Sequence, residues 1–131
     1  MLITKTDILT KSHLIISVCI VLPVSLIYGF NPEKIFEIYP NTLDEFNLLK
    51  AIMGIYVGFS IIWILGILKT NFLKLALFSN MIFMLGLACG RLISLALDGI
   101  PSFVYVFGTF AELFLGLYGF WILNNLKNTN G

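Results

Sequence analysis

The chain has 131 residues, of which 59% are hydrophobic and only 11% charged, with a formal net charge of +1. A water-soluble domain of this size could not cover so much apolar side chain with polar surface, so a soluble globular protein is excluded. The near-neutral balance, with no basic stripe, speaks against nucleic acid as a partner and names the lipid bilayer instead.

A hydrocarbon core of about 30 Å requires about 20 predominantly apolar residues in a helix. Four runs meet or approach that length, at 12–30, 46–68, 72–97 and 103–123. The fold class that follows is all-α integral membrane: a four-transmembrane-helix bundle forming a single membrane domain, 1–131. The first run follows Lys5 and Lys11 in the manner of a secretory signal, yet it ends in Tyr28-Gly29-Phe30-Asn31-Pro32 without a small-x-small cleavage site. It is therefore read as a retained span. Pro23 should bend it, because proline lacks the amide hydrogen and crowds the preceding turn. Cys19 and Cys89 lie in apolar runs without C-x-x-C spacing or histidine companions, which makes them reduced core cysteines and leaves no metal site, redox dithiol or cofactor to expect. His13, the only histidine, stands at the start of the first run and reads as solvated or interfacial.

Between the first two spans, 31–45 is the one substantial loop. Asn31-Pro32 reads as an N-cap followed by proline at the first helical position, and Ile35, Phe36, Ile38 and Tyr39 give the next turns an apolar face. These features predict a short interfacial helix ended by Pro40. Thr42 and Glu45 then form the S/T-x-x-E capping box that opens the second span. Lys5, Lys11, Lys69, Lys74 and Lys127 fall on one side, while Lys34 and Lys50 fall among five acidic residues on the other. The positive-inside rule then puts both termini in the cytoplasm. Trp63 and Trp121 should mark the cytoplasmic interface, and Tyr39, Phe103 and Tyr105 the outer one.

Small residues repeat along three spans: Gly54 and Gly58; Gly86 and Gly90, extended by Ser94; Gly108 and Gly116, with Gly119 close by. In lipid such rows let helix backbones approach, within one chain or across a homodimer. Charges share these rows. A charge at mid-bilayer depth costs about 2.5–3.5 kcal/mol and normally finds a partner inside the bundle. Arg91 lies about 10 Å and Glu112 about 15 Å from the 98–102 turn along consecutive antiparallel helices, close enough in depth to pair. Lys50 enters from the same side and Asp98 is seven residues beyond Arg91, so the four charges are expected to form one balanced network. The Asp98-Gly99-Ile100-Pro101 segment also has a plain reading, a helix end followed by a turn and a proline-opened helix.

On Asn47, Lys50, Ala51, Gly54 and Tyr56, then Gly90, Arg91, Ser94, Asp98, Gly99 and Pro101, then Glu112, the chain resembles the DUF4345 family of small bacterial four-span membrane proteins. Lysine stands at position 50, where the family pattern more often has arginine, a change that weakens any bidentate role. The resemblance implies the architecture and no activity. A broader fold-level likeness is to DoxX-like four-helix membrane proteins, some of them linked to quinone and sulfur redox chemistry.

Function divides three ways. A structural or accessory membrane component would use Lys50, Arg91, Asp98 and Glu112 to fix helix register, as a neutral network satisfied internally. A small-solute or proton-coupled transporter would use Glu112 as its titrating group beside Arg91, and would need a dimer or larger complex to frame a pathway. A lipid- or quinone-binding protein would hold a head group with Arg91, Asp98 and Tyr56. An enzyme is not expected, because no nucleophile with a base and no phosphate-binding loop occurs; Ser94 has no candidate histidine partner.

Overall fold

The structure, a computed structural model, describes residues 4–129 and the side chains of residues 4–126. Lys127, one of the lysines that orient the chain, has its side chain outside that range. The elements in order are α1 (Lys5–Phe30), α2 (Glu33–Phe36), α3 (Leu43–Leu68), a 3₁₀ turn (Thr70–Phe72), α4 (Leu73–Leu97) and α5 (Phe103–Thr129). The four long helices run up and down, and each is long and apolar enough to cross a membrane. This is a multi-pass membrane protein.

Local chemistry sets the helix ends. Glu45 N–H donates to Thr42 Oγ1 at 3.2 Å, while Glu45 Oε2 accepts from the amides of Thr42 and Asn41 at 3.0 and 2.6 Å. The expected capping box is thus made, and it draws in one more amide from the turn before it. A second box, Thr4 with Asp7, starts α1 well ahead of the apolar run that begins at residue 12. α1 then continues without a break through Pro23. α4 ends at Asp98, whose carboxylate accepts from Ser94 Oγ at 2.8 Å, and Gly99 takes the positive φ of 106° that releases the chain into the turn. Pro101 lies inside that turn rather than at the first position of α5, whose first amide bonds go to the Ser102 carbonyl.

The short helix is a single turn and stops at Glu37 in the left-handed region, φ 52°, before Pro40 is reached. Phe36 decides this. Its ring is buried, stacked on Tyr28 with centroids 4.2 Å apart, and its carbonyl accepts the Tyr105 hydroxyl at 3.0 Å. The docked Phe36 and the left-handed Glu37 after it end the helix after one turn.

α1 packs most intimately on α3, and α4 on α5; α3 and α4 meet along a smaller seam, while α1 touches α4 and α5 only sparsely. The close approaches occur at glycines: a Cβ on Gly66 would collide with Ala76, one on Gly29 with the Met53 thioether, and one on Gly116 would lie 2.6 Å from Leu85. Added Cβ atoms at Gly54, Gly58, Gly86 and Gly90 would meet nothing within 4 Å. The expectation that those rows pack helices within the chain is therefore corrected. Gly54 and Gly58 are two residues from core-facing Tyr56 and Ser60, about 200° around α3, which turns them outward; Gly86 and Gly90 stand in the same relation to Met84 and Ala88.

The outer surface is a belt of exposed Ile, Leu and Phe side chains, such as Ile55, Ile82, Phe110 and Phe114. Small hydroxyl residues lie inside instead. Ser17, Ser60 and Thr109 donate to carbonyls four residues back, at 3.1, 2.9 and 2.9 Å, so their burial leaves no orphan hydroxyl. Both cysteines are free and lie on the exposed face rather than in the core. Trp63, expected at the interface, is fully buried: its ring is edge-on to Phe83 at 5.2 Å, and its indole N–H donates to Ser79 Oγ at 3.2 Å. A phenylalanine partner and an internal acceptor together satisfy the amphipathic ring without an interface.

Candidate functional site

α4 carries Arg91 and α5 carries Glu112 to the same depth, as the residue counts along the two helices require. Arg91 Nε donates to both carboxylate oxygens, at 2.9 and 3.1 Å, and the two side chains are 22% and 14% exposed. Their charges cancel in a low-dielectric setting where either alone would be costly. The guanidinium also lies over the Tyr105 ring, 5.5 Å from its centroid, and interacts with the Tyr28 side chain.

The remaining expected members stand elsewhere. Asp98 is exposed at the α4 terminus and is held by Ser94, seven residues and about 10 Å along the helix from Arg91. Lys50 is exposed on α3, its ammonium 5.5 Å from the Phe46 ring centroid and 5.9 Å from that of Phe30. The four-charge network is corrected to one ion pair. A long lysine at a helix end satisfies its charge more cheaply by reaching the interface than by entering the bundle.

The sparsely packed seam between α1 and α5 encloses a cavity of about 310 Å³. Its walls are apolar, with Val21 and Val24 from α1, Met84 and Leu87 from α4, and Ala111 and Leu115 from α5. Arg91, Glu112 and Tyr56 form its polar end, and Ile35 and Phe36 of the one-turn helix close it toward the 31–42 loop. Toward the opposite end His13 seals the seam: one ring nitrogen, Nε2, hydrogen bonds with the Leu115 carbonyl at 2.8 Å. A carbonyl only accepts, so Nε2 carries the proton of this bond. His13 is thus fully buried and edge-on to Tyr118 at 5.3 Å, which corrects the expectation of a solvated or interfacial residue. Sequence position near a lysine pointed outward; Gly119, beside the ring, leaves room for it to turn in.

Between α1 and α5 the cavity opens sideways, where Ile20 and Phe107 both line it and face outward. A second, more open hollow of about 310 Å³ lies against Ser94, Pro101 and Thr109, and shares Arg91 and Tyr105 as its wall with the first. Gly108 lines the first cavity with open space where a Cβ would stand, while Gly116 one turn pair further packs on Leu85.

The family comparison covers residues 9–123, from the first turns of α1 to near the end of α5, and the match is to DUF4345, a domain of unknown function. The chain belongs to the DUF4345 family. No curated protein and no solved structure matches the chain. In this DUF4345 member, Arg91, Glu112 and Tyr56 converge on one cavity, Ser94 and Asp98 pair with each other outside it, and Lys50 is apart from both. Sequence reasoning missed Tyr28 and Phe36 as parts of the site and assigned Tyr105 to an aromatic belt. Aromatic residues at span ends serve either purpose, and only the docking of α2 distinguishes them.

Proposed function

We propose that this protein is a binding protein of the membrane interior, which holds a small apolar molecule with a polar head in the cavity between α1, α4 and α5 and does not transform it. The carrying observation is the cavity itself: a concave space of about 310 Å³, apolar along its walls, with its few polar groups gathered at one end beside the ion pair. That distribution is what small-molecule sites require, apolar area for affinity and a few placed polar groups for orientation. A structural or accessory role drew its support from a closed four-charge network, and a single pair beside open space supports it less. The family resemblance points to a bacterial cytoplasmic membrane, and the lysine asymmetry supports both termini on its cytoplasmic side.

Gly108→Leu is the test. The new side chain starts in open space on the cavity wall, since a Cβ at this position meets nothing within 4 Å. Full-length protein purified in mild detergent should retain a small apolar molecule, detected by native mass spectrometry, that the Gly108→Leu protein loses while keeping its thermal stability. Equal masses for the two proteins would refute the binding reading.

A further inference from the structure

At the polar end of the cavity the Tyr56 hydroxyl has no hydrogen-bond partner among the described residues, and Arg91 has N–H groups to spare beyond those that meet Glu112 and Tyr28. Tyr56 is only 8% exposed, lines the cavity, and has its ring fixed edge-on between Tyr28 at 5.7 Å and Phe83 at 5.0 Å. Among the described residues its hydroxyl has electrostatic neighbours in Tyr28, Arg91 and Glu112 but no hydrogen bond. Arg91 gives only Nε to Glu112, and the guanidinium also meets the Tyr28 side chain; with five N–H groups, the fork still has donors for a further acceptor. By contrast Tyr105, the other hydroxyl on the cavity wall, is already committed to the Phe36 carbonyl. A donor that opens onto an apolar cavity gains a hydrogen bond from a complementary oxygen placed there, worth about 0.5–1.5 kcal/mol net.

The charge of that oxygen follows from Glu112. The carboxylate neutralises the guanidinium, so a second anion would stand unpaired in a low-dielectric cavity and face Glu112 directly. A neutral acceptor meets neither penalty. The route of access follows from the side opening at Ile20 and Phe107, which leads to the apolar belt and hence to the acyl chains of a bilayer rather than to water.

Resting on the binding reading above, we infer that the ligand is a neutral, carbonyl-headed molecule with an apolar chain, which enters from the lipid phase and sets its oxygen between the Tyr56 hydroxyl and the terminal nitrogens of Arg91. The Glu112 carboxylate acts through Arg91, holding Nε so that the rest of the fork is turned to the ligand. Phe36 and Ile35 close the end of the cavity behind it.

The experiment uses full-length protein in phospholipid nanodiscs and a diazirine-tagged methyl ketone as photoaffinity probe, competed by methyl nonyl ketone, undecanoic acid and undecane. The ketone is expected to compete about tenfold better than the acid or the alkane. Tyr56→Phe, which removes one oxygen and leaves the ring packing in place, should weaken labelling about fivefold, the worth of one neutral hydrogen bond. Better competition by undecanoic acid would overturn the proposal in favour of an anion site, and equal competition by undecane would show the polar end idle; either leaves the cavity reading standing. Unchanged labelling in Tyr56→Phe would also overturn it. Labelling of wild type and Gly108→Leu to the same extent would remove the binding reading as well.

Discussion

The two ends of the bundle are built on different plans. Toward the termini the helices interlock: Leu14, Trp63, Ala76, Leu77 and Ile122 are fully buried, and Gly66 brings α3 against α4. Toward the 31–42 loop α1 and α5 part, and the space between them is left to a cavity with a salt bridge on its wall. Polar groups are treated differently as well. At the packed end the buried hydroxyls of Thr10 and Ser17 bond their own helix, at 2.8 and 3.1 Å, and His13 bonds a neighbouring one through Nε2, while its Nδ1 and the Asn80 amide have no partner among the described residues; at the open end the Tyr56 hydroxyl faces the cavity beside the Arg91–Glu112 pair. One end is a clamp and the other a receptacle, and a membrane protein this small needs the first to afford the second.

Breaking the comparison at its open end should have the largest effect. Arg91→Leu or Glu112→Leu alone strands a charge of the pair and should destabilise by about 3–5 kcal/mol, whereas the double replacement should recover much of the loss. Denaturation of the four proteins in one detergent forms the double-mutant cycle, and additive losses would show the two charges to be independent.

On the inward face of α4, Ala88→Leu should cost about 1–3 kcal/mol, because Ala88 is fully buried and overpacking forces its neighbours aside. Gly90→Leu, two residues on but facing outward, should change stability by less than about 0.5 kcal/mol. A reversal of that order in thermal melts would return the glycine row to the interior of the bundle.

Asn80 sharpens the contrast from the other direction. It is fully buried, and both its amide nitrogen and its oxygen lack partners among the described residues. Asn80→Leu, close in volume, is expected to stabilise the protein by about 1–3 kcal/mol, the cost of an unsatisfied buried amide. Loss of stability in the same melts would mean that water or another group satisfies the amide, and that the packed end is wetter than its side chains imply.

A small loss is expected where the loop helix closes the receptacle. Tyr105→Phe removes the single hydroxyl bonded to the Phe36 carbonyl and should cost about 0.5–1.5 kcal/mol. Its sharper signature is faster hydrogen exchange at 33–36 with exchange in α4 unaltered. Uniform change across the chain would mean that α2 is not a separate closing element.

Composition and spacing by themselves determined the membrane, the four spans and the Thr42 cap, because hydrophobic length and N-cap chemistry are local quantities that no tertiary contact overrides in lipid. They also determined the Arg91–Glu112 pair, since two charges at matched depth on consecutive antiparallel helices have few other ways to be neutralised. Which face of each helix turns inward was decided only by the tertiary structure. In a membrane the outward face is as apolar as the inward one, so the sequence carries little periodic contrast, and Gly90, Ala88, Cys19 and Trp63 could each be assigned to the wrong side. The cavity likewise has no sequence signature. It exists because Phe36 and Tyr105 hold one end of the α1–α5 seam and His13 the other, three residues far apart in the chain that converge only when the helices have packed.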